Sequence, residues 1–176
     1  ILVVEKDPTY EFSSTAHTNS CMRQQFSAEI NIRISKFVAD YVKNLRHYLG
    51  DDPRVLDLAF HSYGYMYLAD NDAFADNLRA AQKIQQACGA GTQFMTPDDI
   101  AREYPFYNLD GIIGGNHNLI DEGYFDGGTL FDWYKRSARE KGAEYVTNEV
   151  VAMTRNAAGT RVESVTLLSG DVITCG

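Results

Sequence analysis

Residues 1–5, ILVVE, are four apolar residues closed by an acid, with no polar residue alternating among them. A run of that kind is a strand covered on both faces, and such strands belong to sheets layered with helices. The far end of the chain repeats the arrangement. A helical pattern over 127–141, with Leu130, Tyr134 and Ala138 on one face, ends at Gly142, and the strand-like runs AEYVT and VVAMTRN follow. Strand, helix and strand alternating at both ends predict an α/β chain. RVESVTLLSGDVITCG then reads as a hairpin: a strand over 161–168, an SGD turn and a strand over 172–175. A strand without a lead-in at residue 1, and a hairpin where a further strand would be expected, predict an internal segment of a longer protein.

The middle is less regular. A helix is expected over 28–49, with Ser27 as N-cap, Gly50 as terminator and a stripe of Ile30, Ile34, Phe37, Val38, Tyr41, Leu45 and Leu49 as its apolar face. FHSYGYMYLA, 60–69, reads as a strand with Gly64 inside it. Residues 72–88 predict a second helix, with Asp72 near its start and Gly89 at its end. TPDD at 96–99 starts a short third one: Thr96 caps, Pro97 takes the first turn, and Asp98 and Asp99 favour the positive end of the dipole. GIIGG, 111–115, reads as a strand and turn.

The net charge of −8 leaves no cationic stripe for nucleic acid or an anionic membrane surface. No run approaches the roughly 18–20 apolar residues of a membrane span. Three cysteines, Cys21, Cys88 and Cys175, are odd in number and far apart, which points to reduced thiols in a cytosol-like compartment rather than a disulfide framework. No C-x-x-C or H-E-x-x-H supports a zinc site.

Two segments carry candidate ligand chemistry. Glu5 follows a buried strand, where an acid can accept both hydroxyls of a ribose; acids in solvated turns also end many strands. Residues 13–26, SSTAHTNSCMRQQF, are rich in small and polar side chains. A backbone of that kind can approach a ligand closely and offer it N–H groups. Ser13, Ser14 and Thr15 could add hydroxyls to a phosphate, and Arg23 could take a carboxylate in a bidentate pair. An ordinary polar loop with a surface arginine is the other reading that chemistry leaves open. Cys21 reads as a small packed residue or a reactive thiol, and the tyrosines of YGYMYLA as a packed sheet face.

Taken in order, VVEKD, SSTAHTNSCMRQQFS, the helix NIRISKFVADYV and the run GYFDGGTLFDWYKRSAREKGAEYVTNEVVAM resemble the D-amino-acid oxidase-like (DAO) family of FAD-dependent oxidoreductases, which includes enzymes that oxidise sarcosine, glycine and dimethylglycine. The likeness spans nearly the whole chain. It implies part of a Rossmann-like FAD-binding domain, residues 1–50 and 123–176, with part of an α+β substrate domain, residues 51–122, inserted in it. It also implies FAD as cofactor. Glu5 then matches the ribose acid and Lys6 its neighbour near the adenosine. Ser13, Ser14 and Thr15 match the pyrophosphate side, and Asn19, Ser20, Cys21 and Met22 the backbone beside the flavin. Val151 matches the residue whose backbone meets the adenine, and Arg23 a position facing the substrate carboxylate. The family's G-x-G-x-x-G turn belongs before residue 1, so the 176-residue chain alone is expected to bind FAD weakly or not at all.

The implied activity is oxidation of a C–N bond in an amino acid or N-methyl amine, by hydride transfer to flavin with water hydrolysing the imine. The electron acceptor stays open among O2, a quinone and a protein. The implied location is cytoplasmic, or mitochondrial in a eukaryote. The RQQFS…NI wording is especially like a subgroup that includes a respiratory-complex assembly factor, so a non-catalytic scaffold on the same fold is the alternative. A nicotinamide enzyme fits the 13–26 loop and the inserted block less well.

Overall fold

The computed structural model describes residues 1–175. In chain order the elements are β1 (Leu2–Glu5), β2 (Cys21–Met22), α1 (Glu29–Lys43), α2 (Leu45–Tyr48), β3 (Phe60–His61), β4 (Tyr65–Ala69), α3 (Asp72–Ala87), β5 (Gln93–Met95), α4 (Pro97–Glu103), β6 (Gly114–Asn118), β7 (Gly123–Phe125), α5 (Gly127–Glu140), β8 (Glu144–Thr147), β9 (Val150–Arg155), β10 (Val162–Leu167) and β11 (Val172–Thr174). They divide by packing into two compact units: Ile1–Thr18 with the chain from Leu130 onward, and Asn19–Thr129.

In the first unit β1 and β8 pair in parallel, Leu2 opposite Glu144 through Glu5 opposite Thr147. The junction after β8 is tied back to β1, because Asn148 N donates to Glu5 O at 3.1 Å. The hairpin expected near the chain's end is present, and β9 adds to it as a third antiparallel strand in the order β11-β10-β9. Residues 7–17 form a ladder of turns held by Asp7. Its carboxylate accepts from Thr9 N at 3.0 Å and Phe12 N at 3.2 Å, and Tyr10 then packs edge-on against Phe131 with ring centroids 4.7 Å apart.

The second unit holds two three-stranded antiparallel sheets, β2-β7-β3 and β4-β6-β5. One face of β2-β7-β3 meets α1: Met22, Ala39 and Val42 are buried there with Val38, Leu58, Phe60 and Phe125 against them. One face of β4-β6-β5 meets α3 through Ala69, Ala75, Leu78, Tyr67 and Phe94.

Several expectations need correction. The helix over 28–49 is two, α1 and α2. Asn44 divides them, turning its amide back onto Asp40 O at 3.0 Å and Asp40 Oδ1 at 2.9 Å, a local bond that competes with helix continuation. Ala28, not Ser27, precedes α1, and no side chain caps it. The expected apolar face holds in part: Leu45 is buried and Val38 packs on the core, but its N-terminal half faces out. Ile30, Ile34 and Phe37 are 62%, 53% and 56% exposed, while Ile32, Ala39 and Val42 are buried. Strand 60–69 breaks at Gly64, whose φ of +82° turns the chain out of the ladder. The strand expected at 111–115 begins only at Gly114. α3 starts at Asp72 as expected, and Asn71 caps it by accepting from Phe74 N at 2.9 Å. In α5 the buried residue is Trp133, and Tyr134 is exposed. By packing, the chain divides at 18/19 and 129/130, with α1 on β2, β3 and β7 in one core.

The α4 start behaves as its sequence predicts. Thr96 Oγ1 accepts from Asp99 N at 3.2 Å, and the Asp99 carboxylate accepts from Thr96 N at 3.1 Å. The Thr96 hydroxyl and Arg102 also donate to Asp99, holding its carboxyl down at about 2. Thr96→Ala is expected to destabilise the chain by about 1 kcal/mol, the usual worth of an N-cap, read from the midpoint of urea unfolding at unchanged slope.

Candidate functional site

The expected ligand residues fall in both units. In the first, Glu5 stands at the carboxyl end of a strand paired in parallel, as an acid must to meet a ribose. Its Oε1 accepts from Asp7 N at 2.9 Å. Lys6 is exposed beside it. Ser13 N and Ala16 N continue the turn ladder, donating to Tyr10 O and Ser13 O, and His17 N donates to Ser14 O at 3.3 Å. Ser14 and Thr15 are exposed. Val151 lies on β9, three residues past the Asn148 that bonds to Glu5 O, and is exposed.

In the second unit Asn19 is exposed, and Ser20 takes a left-handed turn at φ +48° that brings its carbonyl to Phe125 N at 3.3 Å. Gly127 makes room for it: a Cβ there would lie 2.3 Å from Ser20 Oγ. Cys21 and Met22 point to opposite faces of β2. Cys21 is exposed, and Met22 is buried in the α1 core, so only its backbone is available to a ligand.

Cys21, Arg23 and Tyr65 share a pocket of about 400 Å3 with Met22, Phe26, Ser35, Val38 and Phe125. The Tyr65 hydroxyl is pushed up to about 12, first by its hydrogen bond with Cys21 and then by burial. Arg23 donates to the Tyr67 hydroxyl, and its guanidinium sits 4.9 Å from the centre of the Phe26 ring and 5.6 Å from that of Tyr67. Among the described residues no carboxylate pairs with it. A planar cation against aromatic rings, with donors left over, is suited to an anion.

Beneath Arg23 lies a group the sequence reading missed. Glu122 is 0% exposed. Its Oε1 accepts from Gln24 N at 2.5 Å and its Oε2 from Gln25 Nε2 at 2.9 Å. Burial raises its carboxyl above the usual carboxylate range, and the bonds from Gln25, Gln24 and Asn118 offset only part of that rise. Those neighbours all donate, which is the set an ionised carboxylate requires. The polarity of MRQQF is therefore internal as well as external: Arg23 is exposed, and the two glutamines bury with Glu122. Adjacent glutamines just ahead of a core helix, with the acid pair Asp121 and Glu122 in LIDEGY, were the available signal.

A second pocket of about 430 Å3, lined by Phe94, Arg102, Glu103 and His117 among others, adjoins β5 and β6. His117 shares a 3.1 Å hydrogen bond with the Tyr104 hydroxyl, and burial lowers its pKa. No helix among the described residues is long and apolar enough to cross a membrane.

Comparison with known proteins bears on both units. The model of the family described as FAD dependent oxidoreductase matches residues 1–176. FAD-dependent oxidoreductase domain-containing protein 1 of Xenopus laevis is 34% identical over 152 residues, covering 85% of this chain and 30% of that protein. Its Bos taurus counterpart is 35% identical over 152 residues, covering 85% of this chain and 31% of that protein. The chain thus spans under a third of the length of these curated relatives. Among solved structures, L-proline dehydrogenase from P. horikoshii superposes with a TM-score of 0.69 at 22% identity, over 92% of this chain and 40% of that one. A thermally stable mutant of fructosyl peptide oxidase gives 0.73 at 16% identity, over 99% and 41%. At those identities the likeness is one of fold.

Proposed function

We propose, for a chain that belongs to the FAD dependent oxidoreductase (DAO) family, that it forms part of an enzyme oxidising a C–N bond of an amino acid or N-methyl amine. FAD, when bound, supplies the two-electron acceptor, and the protein's share is to hold and orient. The observation that carries the reading is Arg23: in a chain of net charge −8 this cation has no carboxylate partner among the described residues, and it lines a pocket walled by Phe26, Val38, Tyr65 and Phe125. A guanidinium at the edge of an apolar pocket selects a small carboxylic acid and fixes both its distance and its rotation.

For the cofactor, Glu5 would accept the ribose hydroxyls and Lys6 would lie near the adenosine. Ser13, Ser14 and Thr15 would serve the pyrophosphate, the backbone from Asn19 through Ser20 and Cys21 to Met22 the flavin, and the Val151 backbone the adenine. The position of Glu5 at the end of a parallel strand fits that role. So does the exposure of Ser14, Thr15, Asn19 and Cys21. In this reading residues 1–50 and 123–176 serve the cofactor and 51–122 the substrate, although 19–50 pack with 51–122.

The test uses the full-length protein containing this chain. Anaerobic bleaching of its flavin by sarcosine, dimethylglycine, glycine, D-alanine and L-proline identifies the substrate. Arg23→Ala should then lower kcat/KM about 10- to 150-fold, the equivalent of ~1.5–3 kcal/mol for a charged hydrogen bond. Arg23→Lys should also impair turnover, since the charge stays but the fork is lost. Flavin content should be unchanged in both. Unaltered kinetics in Arg23→Ala would overturn the carboxylate role, and a flavin that no amine or amino acid reduces would favour a scaffold.

A further inference from the structure

We infer that Glu122 is a positioning residue that sets where Arg23 presents its guanidinium, a role that rests on the carboxylate-binding reading of Arg23. Arg23 itself is exposed, so its direction depends on the backbone that carries it and on the tyrosine it meets. Glu122 holds both. The peptide N–H that follows Arg23, that of Gln24, donates to Oε1 at 2.5 Å. The Gln25 amide donates to Oε2 at 2.9 Å and to Tyr65 O at 2.9 Å, joining the same carboxylate to the start of β4. Glu122 O in turn accepts from Gly64 N at 2.8 Å, at the kink where the chain enters β4. Two residues further along β4 stands Tyr67, whose hydroxyl receives Arg23. One buried residue therefore couples the backbone of the cation to the strand bearing its partner.

Charge and length both matter. Both oxygens are engaged by N–H donors in a site without exposure, where charge-assisted bonds are strongest and an unmatched donor is most costly. Glu122→Gln keeps the volume but turns one acceptor into an NH2 group. Either Gln24 N–H or the Gln25 amide then faces a donor, and the segment under Arg23 loses one of its two anchors. A shift of the order of 1 Å in a positioned group is enough to reduce its effect strongly.

The experiment measures binding of propionate, with propionamide as its uncharged isostere, to the full-length protein by ligand-observed NMR, so no turnover is needed. The unaltered protein should prefer propionate, and Arg23→Ala should abolish that preference. Glu122→Gln should weaken propionate about tenfold or more while flavin content and near-ultraviolet circular dichroism are retained. Thr96→Ala, which loosens the same unit away from Arg23, should leave propionate affinity unchanged, separating positioning from general destabilisation. Should Glu122→Gln fail to fold, Glu122→Asp, which keeps the charge and shortens the reach, carries the same expected loss. Propionate binding abolished by Arg23→Ala but unchanged in the folded Glu122 variant overturns the positioning role alone. Propionate binding unchanged by Arg23→Ala overturns the carboxylate reading, and the positioning role with it.

Discussion

Gly123→Ala is expected to cost the chain ~3–5 kcal/mol, or to prevent the Asn19–Thr129 unit from folding. Gly123 opens β7 opposite Met22, with φ at +153°, a conformation an L side chain rarely adopts. A Cβ there would stand 1.8 Å from His61 O and 2.9 Å from both His61 C and Tyr63 N. All three are backbone atoms, so no rotamer change relieves the overlap. Either β3 separates from β7 or β7 leaves β2, and each opens the core formed by Met22, Phe60 and Phe125 against α1. Gly128→Ala is the control: the nearest atom to its Cβ would be Asp126 Oδ1 at 3.3 Å, on a side chain that can move. Urea unfolding should find Gly128→Ala within about 1 kcal/mol of the parent. Gly123→Ala matching it would mean that β2, β7 and β3 do not pair as described.

Ile32→Ala is expected to cost ~2–5 kcal/mol, and Ile30→Ala less than about 0.5 kcal/mol. The two residues lie one turn-fraction apart on α1, have the same chemistry and differ in burial: Ile32 is 0% exposed and Ile30 62%. Removing the Ile32 side chain leaves a cavity that its neighbours only partly fill. Removing that of Ile30 deletes atoms already facing water, and alanine is the better helix former. Equal losses from the two substitutions, measured by the same unfolding midpoints, would show that α1 is seated on the wrong face. Apolar periodicity alone predicts the reverse order, because the stripe of Ile30, Ile34 and Phe37 is the bulkier one.

That reversal shows where sequence reading ends. β1, α3, α5 and the β10–β11 hairpin lie close to their expected spans, and Thr96 caps α4 as read. Each depends on neighbours within a few residues: a cap three positions from its N–H, a glycine at a turn, a run of β-branched side chains. The break of α1 at Asn44 was also local in cause, but an asparagine amide folding onto Asp40 competes with the helix by too little to read against a strong apolar repeat. For the proposed ligand residues, the resemblance named Glu5 and Arg23. The strand end under Glu5 was legible from ILVVE, and the lack of an acidic partner for Arg23 among the described residues was not.

By itself the sequence determined most element types and the family, because those follow from short-range patterns and from the order of motifs along the chain. Only the tertiary structure decided which face of α1 is buried, that the glutamines of MRQQF turn inward, and that Glu122, 98 and 97 residues beyond its partners Gln24 and Gln25, ties them. The reason is physical. A buried carboxylate is stable only where donors converge on it in the absence of water, and such convergence belongs to the packing of distant strands, to which no local propensity refers.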